Sequence, residues 1–273
     1  MKTPFFGWVV VGCAFLVLFL AYGVQYSFGV FLPAMTDELG WQRASLGGAF
    51  SLYSLVYTGF SLVSGRLTDS LGPRRVIGLG GVLLGIGIMA TSQISAQWQL
   101  YFFYGLVAAL GMSTAYIPCN MTVVRWFHEK RGLALGVASC GASCGILVMP
   151  MLASYIIEHA GWRTGLLVLG AGLFIVINIA AHFMVRSPEV LGLSPDGATA
   201  SPSSGVPDAV AGADDLPGWT LIEARATITL WMFLFAFAIV LLTVTVPFVH
   251  IPNFARDIGL SATGGAFAIS ITG

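Results

Sequence analysis

Six stretches of this chain, 8–32, 46–64, 76–94, 100–124, 133–157 and 165–185, each run for about the 20 residues that a bilayer crossing needs. None carries Asp, Glu, Lys or Arg in its middle. A charged side chain at that depth costs about 2.5–3.5 kcal/mol even on the mildest scale, so six consecutive uncharged windows predict six spanning helices. Composition agrees. Of the 273 residues, 57% are apolar and 9% charged, with a mean hydropathy of +0.88, against about 25% charged in a soluble domain. Such a chain cannot cover a water-facing surface. It is also too apolar and aromatic for a disordered segment. Twelve basic residues cancel twelve acidic ones, which leaves no excess of positive charge for nucleic acid. The expected fold class is therefore an all-α, polytopic membrane bundle.

The windows also exclude an intramembrane enzyme, which needs a nucleophile with a base, paired aspartates or a metal cluster at depth. No such constellation occurs, and no cofactor or metal is implied. Cys13, Cys119, Cys140 and Cys144 all lie in apolar runs and are expected to pack as small hydrophobes. The first window begins soon after Lys2 and is about twice as long as a signal-peptide core, with no small-residue cleavage site after it. It is read as a retained helix.

After residue 186 the composition shifts to Ser, Pro, Ala, Gly and Asp, the signature of a solvated linker. A seventh window covers 228–249, and an eighth starts near Thr263. Three regions are expected: a six-helix half over 1–186, a linker over 187–226, and 227–273 as helix seven with the start of helix eight. Because half a span would strand backbone polar groups in hydrocarbon, the chain reads as the front portion of a longer protein. Placing the N-terminus in the cytoplasm puts Lys2, Arg66, Arg74, Arg75, Arg125, Lys130, Arg131, Arg186 and Arg225 inside, and only Arg43, Arg163 and Arg256 outside. That asymmetry sets the orientation. The expected location is a plasma or inner membrane, with the linker cytoplasmic.

Between the second and third windows the chain reads Gly65-Arg66-Leu67-Thr68-Asp69-Ser70-Leu71-Gly72-Pro73-Arg74-Arg75. Gly65 is expected to let a helix end pack closely, Gly72-Pro73 to turn the chain, and Asp69 to accept hydrogen bonds from a helix N-terminus. The spacing G-x3-D-x2-G-x-R-R resembles the loop 2–3 signature of the major facilitator superfamily. Two further segments narrow the resemblance. Gly7-Trp8-Val9-Val10-Val11 looks like the helix-one opening of the monocarboxylate transporter group, and Arg125-Trp126-Phe127-His128-Glu129-Lys130-Arg131-Gly132-Leu133-Ala134-Leu135-Gly136 resembles that group's second signature. Gly23-Val24-Gln25-Tyr26-Ser27 looks like the oxalate/formate antiporter branch, since the animal carriers hold a lysine at the position of Tyr26. The likeness covers essentially the whole chain, matched to the first half of a twelve-helix fold, its linker and the start of its second half.

The resemblance implies a small organic anion as substrate, with a proton or counter-anion as coupled partner, in a protein that is monomeric at full length. It also implies that the cationic binding residues, in helices eight and eleven of the family, lie beyond Gly273. The other wall of the site is read from the residues themselves. Tyr22, Gln25 and Tyr26 recur at i, i+3 and i+4 and share a helix face. Tyr116 and Asn120 share another, with Pro118 between them expected to bend the helix. Resemblance to the oxalate transporter carries over Tyr26 and Tyr116 as pocket aromatics. Gln25 and Asn120 are candidates from polarity at membrane depth, where such groups face a cavity or the bundle interior; interhelical hydrogen bonding is the equal alternative. Tyr53 and Tyr57, at i and i+4, read as packing aromatics.

Asp69 and the nearby arginines are expected to form a cytoplasmic latch of Gly65, Asp69, Gly72, Arg74 and Arg75, with ion pairs that differ between conformations. Gly81/Gly85, Gly132/Gly136 and Gly141/Gly145 form small-xxx-small pairs that allow close helix contact. His182 and His250 are read as interfacial. The function expected is secondary transport of a mono- or dicarboxylate such as oxalate, formate, lactate or pyruvate by alternating access. Another small solute or a drug is the alternative cargo. A seven-helix receptor is disfavoured by the linker after the sixth window.

Overall fold

The structure is a computed structural model that describes residues 5–194, 196, 221–240 and 243. Helices occupy all six windows: α1 (Phe6–Leu39), α2 (Arg43–Leu71), α3 (Pro73–Thr91) and α4 (Gln97–Trp126), followed by a run over Arg131–Phe183. That run is two helices, α5 (131–160) and α6 (162–183), because Gly161 between them has φ 82° and ψ 161°. Positive φ is open to glycine at no Cβ cost, so one residue reverses the chain. Gly40, at φ 66°, ends α1 in the left-handed cap that glycine favours.

Packing follows the glycines. Along α1 and α5 the close approaches run Phe15 to Gly141, Phe19 to Gly145 and Met149 to Gly23, so the two helices lie parallel with backbone against backbone. Gly81 meets Ile177 and Gly85 meets Phe174, which sets α3 antiparallel to α6. On α2 and α4, Gly48 meets Tyr101 and Gly105 meets Leu52, a parallel pair. Without a hydrophobic drive between helices in lipid, such smooth surfaces allow the van der Waals contact that holds a bundle together. Gly132 and Gly136 differ from expectation. A Cβ on either would meet nothing among the described residues, because this turn of α5 looks outward.

Helix α4 is irregular. It opens as an α-turn, passes through a π-helical stretch at Tyr101–Ala108, and breaks at residues 113–115 before Tyr116–Trp126 resumes. The expected bend thus falls one turn ahead of Pro118, which has no N–H to give the preceding turn. The Ser113 and Thr114 hydroxyls donate to the Leu110 and Gly111 carbonyls at 2.7 and 2.8 Å, which keeps local acceptors satisfied at membrane depth.

The interior holds Trp126, Tyr53, Tyr104, Phe31 and Phe127, while Leu55, Leu62, Leu79 and Ile175 point outward. Outward apolar side chains suit a lipid solvent. Cys13 and Cys119 are buried as expected, but Cys140 is exposed and Cys144 half-exposed, since a helix in lipid places apolar residues on its outer face too.

The helices share two recognisable ends. At one, Phe5 and Phe6 pack on Trp126, whose indole N–H donates to the Val185 carbonyl at 2.9 Å. At the other, Glu38 accepts from the Trp162 indole at 2.6 Å and from the Arg163 Nε at 3.0 Å, and Arg163 also donates to the carbonyls of Ser92 and Ile94. The ends of α1 and α3 are thereby tied to the start of α6.

After α6 a short turn, Pro188–Leu191, stops at Gly192 (φ 67°). Asp196 then accepts hydrogen bonds from the backbone N–H groups of His128 and Glu129, both at 2.8 Å. In a separate unit, Leu221–Ala226 and Ile228–Val240 are helical, and the Trp231 indole donates to the Arg225 carbonyl at 3.0 Å. The rest of the seventh window, His250 and the eighth window lie outside the described residues.

Candidate functional site

Tyrosines from three helices meet midway along α1. The Tyr22 and Tyr57 hydroxyls are 3.0 Å apart, joining α1 to α2. The Tyr22 ring stacks beside Tyr26 at 6.4 Å and meets Tyr116 of α4 edge-on at 6.1 Å. Behind this group lies a layer of four rings, with Phe28 on Tyr104 at 4.1 Å, Tyr104 on Tyr53 at 4.7 Å, and Phe50 closing the layer. Offset ring contacts of this kind hold side chains rigid at about 0.5–1.5 kcal/mol each.

Of the four binding residues expected from sequence, Tyr26 and Tyr116 join this group, linked through Tyr22. Tyr116 is 43% exposed, so part of its ring remains open for contact. Asn120 lies one turn beyond it and donates from Nδ2 to the Tyr116 carbonyl at 3.2 Å. Gln25 is buried. The Oε1 of Gln25 and the Oδ1 of Asn120 are enclosed with no hydrogen-bond partner among the described residues. Leaving a buried acceptor unpaired costs about 1–3 kcal/mol, and these two oxygens are unsatisfied polar atoms beside the tyrosine group. The group also takes in Tyr22, read from the sequence on one face with Gln25 and Tyr26, and Tyr57, read there as a packing aromatic.

The expected latch is rearranged. Helix α2 continues to Leu71, so Gly65 and Asp69 lie within a helix and not in a loop. Gly65 is not a tight contact, since a Cβ there would sit 3.6 Å from Ile117. Gly72 is the turn, at φ 82° and ψ 154°. Asp69 caps no helix N-terminus: it pairs with Arg125 at the end of α4, Nη2 to Oδ1 at 2.8 Å. Arg74 points instead to α6, with Nη2 at 2.6 Å from His182 Nδ1. His182 is thus an arginine partner rather than a lone interfacial group. The reason is helical geometry: Arg74 and Arg75 open α3, which packs on α6, while Asp69 closes α2, which packs on α4.

A six-helix arrangement with this signature at the α2–α3 turn can be compared with known proteins. The sequence profile of the Major Facilitator Superfamily matches residues 14–273. The chain belongs to that superfamily. Its likeness extends to human monocarboxylate transporter 11, 28% identical over 265 residues that make up 97% of this chain and 53% of the relative. Rat monocarboxylate transporter 4 is 25% identical over all of this chain and 56% of its own length, and mouse monocarboxylate transporter 9 is 32% identical over 67% of this chain and 35% of its own. The chain therefore spans about half the length of these relatives. Among solved structures, a bacterial homolog of the human lysosomal transporter Spinster, in an inward-facing and unoccupied conformation, superposes with a TM-score of 0.73 at 16% identity, over 98% of this chain and 59% of that one. That similarity establishes the major facilitator fold and no more. Within it, the tyrosine group lies where α1, α2 and α4 converge.

Proposed function

We propose that this superfamily member takes part in secondary transport of a small organic anion, with Tyr22, Tyr26, Tyr57, Tyr116, Gln25 and Asn120 forming one wall of the substrate site. The observation that carries the reading is the tyrosine group itself: hydroxyls and amides at membrane depth, held by packed rings, with two amide oxygens unpaired. Such a wall orients a ligand by hydrogen bonds and limits its size by shape. It carries no fixed charge, so an anion's countercharge has to come from elsewhere in the complete transporter. The similarity to monocarboxylate transporters supports a monocarboxylate; a dicarboxylate, and coupling to a proton or a counter-anion, are further parts of the proposal.

In this reading, alternating access rocks two helix bundles about a central site, with the Asp69–Arg125 pair biasing one conformation. The N-terminus and linker would lie in the cytoplasm, by the placement of basic residues. A neutral solute is the second reading, favoured by the uncharged wall. Counterflow of labelled oxalate, formate, lactate and pyruvate into proteoliposomes, using protein made from the complete coding sequence, decides between them. Exchange of one or more carboxylates is expected; exchange of none, with uptake of a neutral solute, would overturn the anion reading.

A further inference from the structure

At the end of the bundle where α2 turns into α3, a recess of about 590 Å³ is lined by Ser70, Leu71, Gly72, Arg74, Arg75 and Arg186. Half of its lining residues carry a guanidinium, and none carries a carboxylate. We propose that this recess binds a phosphate group, supplied by the headgroup of an anionic lipid. The inference is independent of the substrate wall.

Charge balance is the first argument. Asp69 is one residue from the lining, but its carboxylate is engaged by Arg125 at 2.8 Å. Arg74 is bonded, among the described residues, only to the ring of His182, which offers no carboxylate. Among the described residues, Arg75 and Arg186 have no ion-pair or hydrogen-bond partner. Three like charges drawn to one recess repel one another, and an anion seated among them relieves that repulsion. The guanidinium fork matches phosphate geometry with two parallel hydrogen bonds.

The second argument is placement. Orientation alone requires basic residues at this end but not their convergence: Arg66 and Arg131 are also exposed at the same end and do not line the recess. Arg74 and Arg75 come from the first turn of α3, and Arg186 arrives from the far side of the chain, just after α6, so the tertiary fold brings them together. Leu71 lines the recess and is 44% exposed, with Leu67 one turn earlier also exposed. An apolar edge beside a cationic recess, at the end of spanning helices, suits a headgroup whose acyl chains continue down the bundle. A free phosphate would use the arginines but leave the leucines idle.

The test is native mass spectrometry of the full protein with phosphatidylglycerol, with phosphatidylcholine, and with inorganic phosphate alone. Phosphatidylglycerol retention is expected to exceed that of phosphatidylcholine and to fall by about tenfold or more in the Arg75→Gln/Arg186→Gln variant. Arg66→Gln should retain lipid like the unaltered protein. Retention of inorganic phosphate with the same arginine dependence, but not of phosphatidylglycerol, would keep the phosphate site and overturn its lipid source. Equal retention of the two lipids, or equal losses in Arg66→Gln and the double variant, would overturn the site. Should the double variant fail to fold, the unaltered protein still decides: preference for phosphatidylglycerol that weakens with added salt supports the site, and salt-independent retention of both lipids refutes it.

Discussion

Single residues in the α2–α3 signature carry unequal structural demands. Gly72 takes φ 82° and ψ 154°, a conformation that costs an L-residue about 1–3 kcal/mol, whereas Gly65 has ordinary space beside Ile117. Gly72→Ala is therefore expected to lower stability by about 1 kcal/mol or more, and Gly65→Ala, inside a helix with room for a Cβ, to raise it by up to about 1 kcal/mol; thermal unfolding in detergent compares them. In the tyrosine group, Tyr26→Ala and Tyr116→Ala should weaken substrate binding in the complete transporter. Measured affinities that stay unchanged in both variants would remove these two residues from the site. The family resemblance singled out Tyr26 and Tyr116, while polarity at depth, a local property, marked Gln25 and Asn120. Local spacing marked Tyr57 only as a packing aromatic, since its partner Tyr22 is 35 residues away and meets it only once α1 and α2 are packed.

At the scale of elements, contacts between helix ends govern the expected motion. The Asp69–Arg125 pair joins the end of α2 to the end of α4 and is partly exposed at both side chains, so it adds little to stability but can bias a conformational equilibrium. Asp69→Asn is expected to slow turnover in proteoliposomes while leaving substrate affinity nearly intact, and Arg125→Gln should behave alike. Turnover at the unaltered rate in both would dismiss the latch. A second contact ties the chain after α6 to the loop between α4 and α5. Partial desolvation raises the pKa of the Asp196 carboxyl, but hydrogen bonds from the backbone N–H groups of Glu129, His128 and Lys130 outweigh it and hold the carboxyl below its ordinary value. A depressed folded-state pKa means that the contact contributes fully above the unfolded value and is lost as pH falls through the folded one. Amide exchange at His128 and Glu129, corrected for intrinsic rates, should thus stay slow at neutral pH and quicken on acidification below about pH 4. Asp196→Ala should leave both amides unprotected throughout. Exchange that is the same in the variant and the unaltered chain at pH 7 would contradict the assignment.

For the whole molecule, the arrangement of charge ties topology to function. The end that gathers Arg66, Arg74, Arg75, Arg125, Lys130, Arg131 and Arg186 is the end expected in the cytoplasm. A protease site inserted between residues 200 and 210 should accordingly be cut in inside-out vesicles and resist cutting in intact cells; the reverse pattern would invert the orientation. The spacing of apolar windows sufficed to predict six spanning helices, because burial in lipid needs only length and the absence of charge, and both are written along the chain. The glycine signatures sufficed for the superfamily resemblance, which the profile match over residues 14–273 bears out. What the sequence left open depends on which helix faces which. Gly141 and Gly145 lie against α1 while Gly132 and Gly136 look outward, yet all four share one spacing. Asp69 pairs with Arg125 although Arg74 and Arg75 are nearer in sequence, because α2 runs beside α4. The recess of three arginines exists only because α3 packs on α6. Spanning is a property of each segment in its solvent and could be read locally; partner choice, the tyrosine group and the cationic recess come from contacts between segments far apart in the chain, and only the folded bundle decides them.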